Sequence, residues 1–501
     1  MSVSTIGGYS GQSIQQLVAM RTQFDDLQRQ LSTGQKSETY AGLGLNRGIT
    51  VSLNAQLAAI GGYDDAINNV GNRISLMNVA LTRMTGLGSA VKAAIAQART
   101  TDPVAGAGAA QQTAQSSLDE LLGLLNTDAG GHYLFSGRAT DTPAVESMDH
   151  ILNGNGGQAG LKQLIAERNQ ADLGADGLGR LAIGQPSATA VSLAEDAVSP
   201  FGLKLASVTS TLTNATVSGP SGSPAGLSVD LSGGNPNAGD SLTVRFNLPD
   251  GTTSTLTLTA TTTSPPGANQ FTIGATTTAT ATNLQAALTT AVGNVAGSAL
   301  TAASAVTASN DFFSADANNP PQRVAGPPFT SATAVTAGTV NNTVIWYTGE
   351  TGSDPARSTA TARVDQNLSV AYGVRANEDG IRSLVQNIAT LAAVTVSAGN
   401  PNAADLSREL DQRLTANIVG QPGNQTLTTI AVDLANAQTA MSAAKTRHQQ
   451  TSSTLSDFLQ QVVGVSNEEV GARILALQTR MQASMQTTAM LFQTNLINYL
   501  R

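Results

Sequence analysis

The chain has 501 residues, a formal net charge of −8 and a pI of about 4.9, with 12% charged residues, 4% aromatic residues and no cysteine. That length allows two to four domains, and the acidic balance leaves no basic stripe for a phosphate backbone, which excludes nucleic acid as a partner. No apolar run approaches the roughly 20 residues of a membrane span, and the opening MSVSTIGGYSGQS has neither the basic nor the apolar region of a secretory signal.

The elements follow in chain order. Leu17, Met20, Phe24, Leu27 and Leu31 step by three and four, then stop at Ser32-Thr33-Gly34. Such steps put side chains on one narrow helical stripe, and a Gly just past the last apolar residue ends it. A long helix is predicted from about Leu45 to Arg99, about 80 Å of rod, weakest at Gly61-Gly62 and ended by Asp102-Pro103. Its seam is Ile67, Val70, Ile74, Met77, Leu81 and Met84, continuing to Val91 and Ile95. Leu118, Leu121, Leu122 and Leu125 predict a helix over about 111–126. Residues 130–137 predict an aromatic strand bounded by glycines, and 153–186 are Gly-rich.

The centre changes character. Residues 227–231, 242–248 and 255–259 alternate apolar and polar side chains, and Pro249-Asp250-Gly251 supplies a turn, so a hairpin with a Thr-covered face is predicted. Phe271-Thr272-Ile273 reads as a strand, 283–292 as a short helix, and 297–345 as β-like and loop-rich. Residues 251–310 contain no charged side chain. Helical spacing resumes at 378–394 and 405–418. A second long helix is predicted over 426–465, with Leu427, Ile430, Leu434, Ala437, Met441 and Ala444 on its seam, running on through His448 and Thr451 to Leu455 and Phe458. Ser466-Asn467-Glu468-Glu469 then caps a last helix carrying Leu477, Met481, Met485, Leu491, Leu496 and Leu500. The two long seams need cover and read as each other's partner, as in a coiled coil.

No candidate for chemistry competes with this structural reading. His448 falls on the seam with no second ligand at helical spacing, which reads as a polar residue setting register. Ser10 and Ser136 lack the strand–turn–helix context of a nucleophile. Asp64-Asp65 and Glu468-Glu469 are neighbours about 100° apart on a helix, hence solvated charges rather than acid–base couples. The seam methionines fill helical gaps, and Trp346-Tyr347 reads as a core pair. No catalytic, cofactor or metal residue is expected.

Three short segments carry a resemblance. Leu31-Ser32-Thr33-Gly34 is similar to the "LSTG" turn of flagellins. Tyr133-Leu134-Phe135-Ser136-Gly137-Arg138-Ala139-Thr140-Asp141-Thr142-Pro143 resembles the aromatic-Gly–Thr-Asp-Thr-Pro motif of the hook–filament junction proteins, with Tyr133, Phe135, Gly137, Asp141 and Pro143 as its marks. The end Leu496-Ile497-Asn498-Tyr499-Leu500-Arg501 shares features of both. The chain therefore resembles the bacterial flagellin family, closest to the junction proteins. It departs at Lys36–Gly42, where many members carry an Asp-Asp pair.

The resemblance implies a structural subunit of the external flagellum, most of all a hook–filament junction protein, with filament flagellin as the alternative. It implies export without a cleaved signal, an export apparatus and chaperone, and assembly with copies of itself, flagellin and hook-associated proteins. The terminal stripes, Leu17 to Leu31 and Leu477 to Leu500, would then be assembly surfaces, since neither has a matched partner within the chain and both would order on binding. From another class, a surface adhesin would use the central β region.

The resulting fold class is mainly α: long N- and C-terminal helices paired as a coiled-coil stalk around a central α+β insertion. The expected divisions are an assembly region over 1–43, stalk halves over 44–145 and 426–465, a connector over 146–200, an outer domain over 201–357, returning helices over 358–425, and an assembly helix over 466–501.

Overall fold

The computed structural model describes residues 4–99, 102–397, 399–418 and 423–499, the side chains of 4–10, 13, 103, 491, 492 and 494–499 excepted. In chain order come α1 (Ser4–Thr33), α2 (Arg47–Ala98), α3 (Pro103–Leu125), α4 (Met148–Asn153) and α5 (Leu161–Leu173). The strands β1 (Leu181–Ser187), β2 (Ala190–Glu195), β3 (Lys204–Ser210), β4 (Thr216–Ser221), β5 (Gly226–Asp230), β6 (Ser241–Asn247), β7 (Thr253–Thr261) and β8 (Gln270–Thr272) follow. Then come α6 (Thr277–Val295), α7 (Thr301–Ser314), β9 (Arg323–Val324), β10 (Val335–Thr336), β11 (Thr361–Asp365) and β12 (Leu368–Ala371). The chain closes with α8 (Asp379–Ala393), α9 (Ala403–Ile418), α10 (Leu427–Val463) and α11 (Asn467–Tyr499). Two compact units result. The first comprises residues 1–71, 362–370 and 439–501, the second 72–361 and 371–438.

The first unit is helical apart from residues 362–370, which hold most of β11 and β12. α1 packs against α11, and the early part of α2 meets the later part of α10, where Lys445 Nζ donates to Asn68 Oδ1 at 2.8 Å. α2 passes through Gly61-Gly62 without a break. On α2 Ile67, Val70, Ile74, Met77, Leu81, Met84, Val91 and Ile95 are buried, and on α10 so are Ile430, Leu434, Ala437, Met441, Ala444 and His448. Beyond His448 the stripe rotates. Ser452, Leu455 and Leu459 are half-buried, while Thr451 is exposed and Phe458 is 52% exposed, so Phe458 is not a seam residue. A straight helix of 3.6 residues per turn drifts about 20° per heptad against a 3.5 repeat, and one extra four-residue step absorbs the drift.

The second unit holds two four-stranded sheets, ordered β1-β2-β5-β4 and β3-β6-β7-β8, antiparallel except for the β7–β8 pair. Their inward residues, among them Val191, Leu193, Phe246, Leu258 and Phe271, share one core with Leu284, Leu288 and Val292 of α6. The predicted hairpin is β6–β7, with Leu242, Val244, Phe246, Leu256 and Leu258 buried and the threonines outward. Because β1 and β2 belong to this core, 146–200 is not a connector: it contains α4, α5, β1 and β2.

Three further expectations are corrected. Residues 297–314 form helix, continuous from α6 through a π-helical turn at Ala296–Leu300 into α7, rather than β structure. Their Ala, Ser and Thr let α7 lie close to α5, α8 and α9, so packing overrides weak local preference. The helix from Thr277 to Ser314 is long and apolar enough to cross a membrane by composition, and two-thirds of its most apolar window is buried inside the unit. Residues 133–137 form turns with isolated bridges at Tyr133 and Ser136 instead of a strand. Finally, Asp102-Pro103 opens α3 as well as closing α2: Asp102 accepts from the N–H of Val104 and Ala105, and Pro103 occupies the first turn, where it forfeits no bond.

Buried charges here are paired. Asp172, wholly buried, accepts from Arg168 Nε (2.7 Å), Gly202 N (2.8 Å) and Ser304 Oγ (2.7 Å). Arg413 of α9 reaches Asp250 Oδ2 in the β6–β7 turn at 2.8 Å. Asp411 fares worse, its one ion-pair partner among the described residues being Arg99, with Nε at 3.6 Å. Burial pushes its carboxyl up to about 6, against the pull of Arg99. The folded state therefore holds that proton more tightly than the unfolded state, whose carboxyl titrates near 3.8. The resulting stability is full below about pH 4 and is lost as pH rises towards 6. Asp411→Asn should be the more stable protein at pH 7, and its melting-temperature advantage over the parent should grow between about pH 4 and pH 6. A pH-independent difference in thermal melts would refute this.

Candidate assembly site

The terminal stripes meet each other in the first unit. Leu17, Met20, Phe24 and Leu27 are half-buried, Leu477 is buried and Met481 is half-buried. The expectation that these stripes lack a partner in the chain is thus corrected: α1 and α11 partly cover one another. Leu31 and Met485 stay outside that cover, 42% and 51% exposed. The side chains of Leu491 and Leu496, and all of Leu500, lie outside the described residues. A second apolar set remains open to solvent: Ile14 and Val18 on α1, Leu475 and Met490 on α11. Sequence reading missed it because one stripe per helix accounts for intrachain packing. The remaining signal was the i, i+4 pair Ile14–Val18 beside Leu17.

The two helix breaks in this unit are tied together. Gly34, at φ 65°, ends α1; its C=O accepts from Val465 N at 3.0 Å, and Lys36 N donates to Val463 O at 2.8 Å. Lys36 Nζ also donates to Val462 O (3.0 Å), a cation at the C-terminal end of α10. The Leu31–Gly34 turn thus has a defined role, holding the α1–α2 connection against the α10–α11 break. Tyr40, Leu45, Ile49 and Val51 follow, all exposed. Clustered exposed apolar side chains mark association surfaces.

Higher on the seam, His448 is buried, and its Nδ1 lies 2.8 Å from Asp64 Oδ1. Asp64 is therefore a seam partner rather than a solvated charge, while Asp65 is exposed. His448 Nε2 is 3.8 Å from Asp365 of the β11–β12 hairpin and makes no hydrogen bond among the described residues. The Asp365 carboxyl is held below its usual range chiefly by a hydrogen bond from Arg447 (2.9 Å), helped by the N–H of Gln366. A polar pair at a single seam level specifies register, because any slip would bury both groups unpaired.

The second unit shows what the 133–143 motif does. Phe135 is buried, and its C=O accepts from Ala376 N at 2.8 Å. Ser136, also buried, donates to Thr142 O at 2.8 Å. Gly137 sits at φ 66°, where a Cβ would come within 2.6 Å of Glu350 Oε2. That carboxylate instead accepts from Arg138 N (2.8 Å) and Arg138 Nη1 (2.6 Å). Pro143 O accepts from Thr348 Oγ1 at 2.6 Å, and Tyr133 N bonds back to Thr140 O at 2.8 Å. Asp141 is solvent-exposed, 3.5 Å from His132 Nδ1. The motif clasps residues 126–145 to residues 346–376.

Among the described residues no group of three or more His, Asp or Glu side chains is placed to hold a metal. Residues 11–140 match the family model of the bacterial flagellin N-terminal helical region, which supports the bacterial flagellin family. The match spans α2 and α3 with most of α1, the Leu31–Gly34 turn and the 133–140 part of the clasp. No curated protein matches the chain.

Proposed function

We propose that this chain is a structural subunit of the external bacterial flagellum that assembles with copies of itself through α1, α11 and the exposed 40–51 segment. The observation that carries this is the flagellin match over 11–140. The open apolar residues on both terminal helices supply surfaces for it. Head-to-tail contacts through such surfaces would build a helical filament. Within the family, the 133–143 clasp favours the hook–filament junction, and filament flagellin is the alternative. Export through the flagellar apparatus with a chaperone, and neighbours among the hook-associated proteins, follow from the same reading.

The test has two parts. Leu475→Asp, at an exposed position, should leave thermal melting of the monomer unchanged and reduce self-assembly, read by sedimentation, at least tenfold. Undiminished assembly would remove α11 from the interface. Immunogold labelling of intact flagella then sets the place: a band at the hook–filament boundary for the junction protein, label along the filament for flagellin. Absence from flagella would overturn the proposal.

A further inference from the structure

β7 leaves an edge that its sheet does not close. It pairs with β6 from Thr253 to Thr259, but with β8 only through Thr259, Ala260 and Thr261. Hydrogen bonds decide which backbone groups face outward. Thr259 donates its N–H to Asn269 O on the β8 side (3.0 Å), and Ala260 donates to Asp240 O on the other (2.8 Å). Amide direction alternates along a strand, so Thr255 and Thr257 aim their N–H and C=O groups to the β8 side, beyond the end of β8. Among the described residues these groups have no partner.

The open edge borders a groove of about 990 Å³. Its opposite wall is one face of α6: Asn283, Ala286, Ala287, Thr290, Ala291 and Asn294, spaced by threes and fours. β7 carries none of the lysines, prolines or bulges that ordinarily guard an edge. At the α9 end of the groove, Arg408 pairs with Asp405 (2.9 Å) and Glu409 with Arg413. The groove thus presents small neutral side chains, charges already paired, and a row of unsatisfied backbone donors and acceptors.

We propose that this groove binds an extended, uncharged polypeptide segment as an added strand on β7, bonded to the backbone of Thr255 and Thr257 and packed against the small-residue face of α6. Only another strand repeats donors and acceptors at the two-residue spacing of this edge. Charge selects the sequence, since an ionised side chain beside alanines with no free counter-charge is costly. Among the described residues no aromatic ring lines the groove to stack on a sugar. The free edge from Thr253 to Thr257 suits about five residues at roughly 3.3 Å each.

A capped, dye-labelled peptide of about eight alternating Thr and Val residues would be titrated with the full chain by fluorescence anisotropy, with amide hydrogen exchange in parallel. Saturable binding and slowed exchange at Thr255 and Thr257 are expected. Thr255→Pro removes an outward N–H and no bond to β6, and should weaken binding at least tenfold. Thr290→Arg, at an exposed α6 position, should do the same without changing thermal melting. A lysine-substituted peptide should also bind at least tenfold more weakly. No saturable binding by the folded chain, equal binding by both variants, or displacement of the peptide by a neutral oligosaccharide would overturn the proposal.

Discussion

Trp346→Ala is expected to destabilise the second unit by about 3–5 kcal/mol, the range for emptying a large aromatic from a close-packed core. Trp346 is the only tryptophan of the chain and is fully buried. Its ring packs edge-on to Phe313 at 5.3 Å between centroids, and its Nε1 donates to Phe313 O at 3.0 Å. Alanine would leave a cavity and an unpaired carbonyl together. Tyr347, wholly enclosed beside it with its hydroxyl unpaired among the described residues, cannot swing in without dragging that polar atom along. Urea denaturation followed by far-UV circular dichroism measures the effect. A loss under 1 kcal/mol would mean that the site collapses onto the missing ring.

Glu378→Ala should cost about 3 kcal/mol, the lower end for breaking a buried ion pair by deleting one member. Glu378, at the start of α8, is buried and bonded to the Arg357 guanidinium, to Arg375 N (3.0 Å) and to Gln425 Nε2 (2.7 Å). One carboxylate thus ties the loop before β11, the turn before α8 and the start of α10. The cost sits at the low end because Arg357 keeps a second carboxylate, Asp433, 3.4 Å from its Nε. Trp346 fluorescence during urea unfolding reports this unit directly. Glu378→Gln, which keeps a side-chain acceptor for Arg375 N, should recover part of the loss. An equal loss in both variants would show that charge rather than hydrogen bonding dominates.

Patterned segments were legible in the sequence because burial imposes a period. Apolar steps of three and four placed α2 and α10 within a few residues of their ends, and strict alternation placed β6 and β7. Gly-rich turns and small-residue helices carry no such period. α7 hides among alanine, serine and threonine, which serve strands and helices alike, and the 130–137 segment has the aromatics of a strand while Gly130, Gly131 and Gly137 at positive φ fold it into turns.

The candidate site divides the same way. Leu17 to Leu27 and Leu477 could be picked out as apolar helix positions, but periodicity does not say what covers a stripe. His448 could be placed on a seam, yet its partner Asp64 lies 384 positions away, and sequence spacing carries no information about such a pair. Residue type and period alone thus carried the helical ends, the Thr-faced hairpin and the flagellin resemblance, all of them local properties. The folded chain adds that α1 meets α11, that Phe458 turns outward, that the 133–143 motif is a clasp and that β7 keeps an open edge. Each of those depends on contacts between distant segments, where packing and hydrogen-bond geometry outweigh local preference.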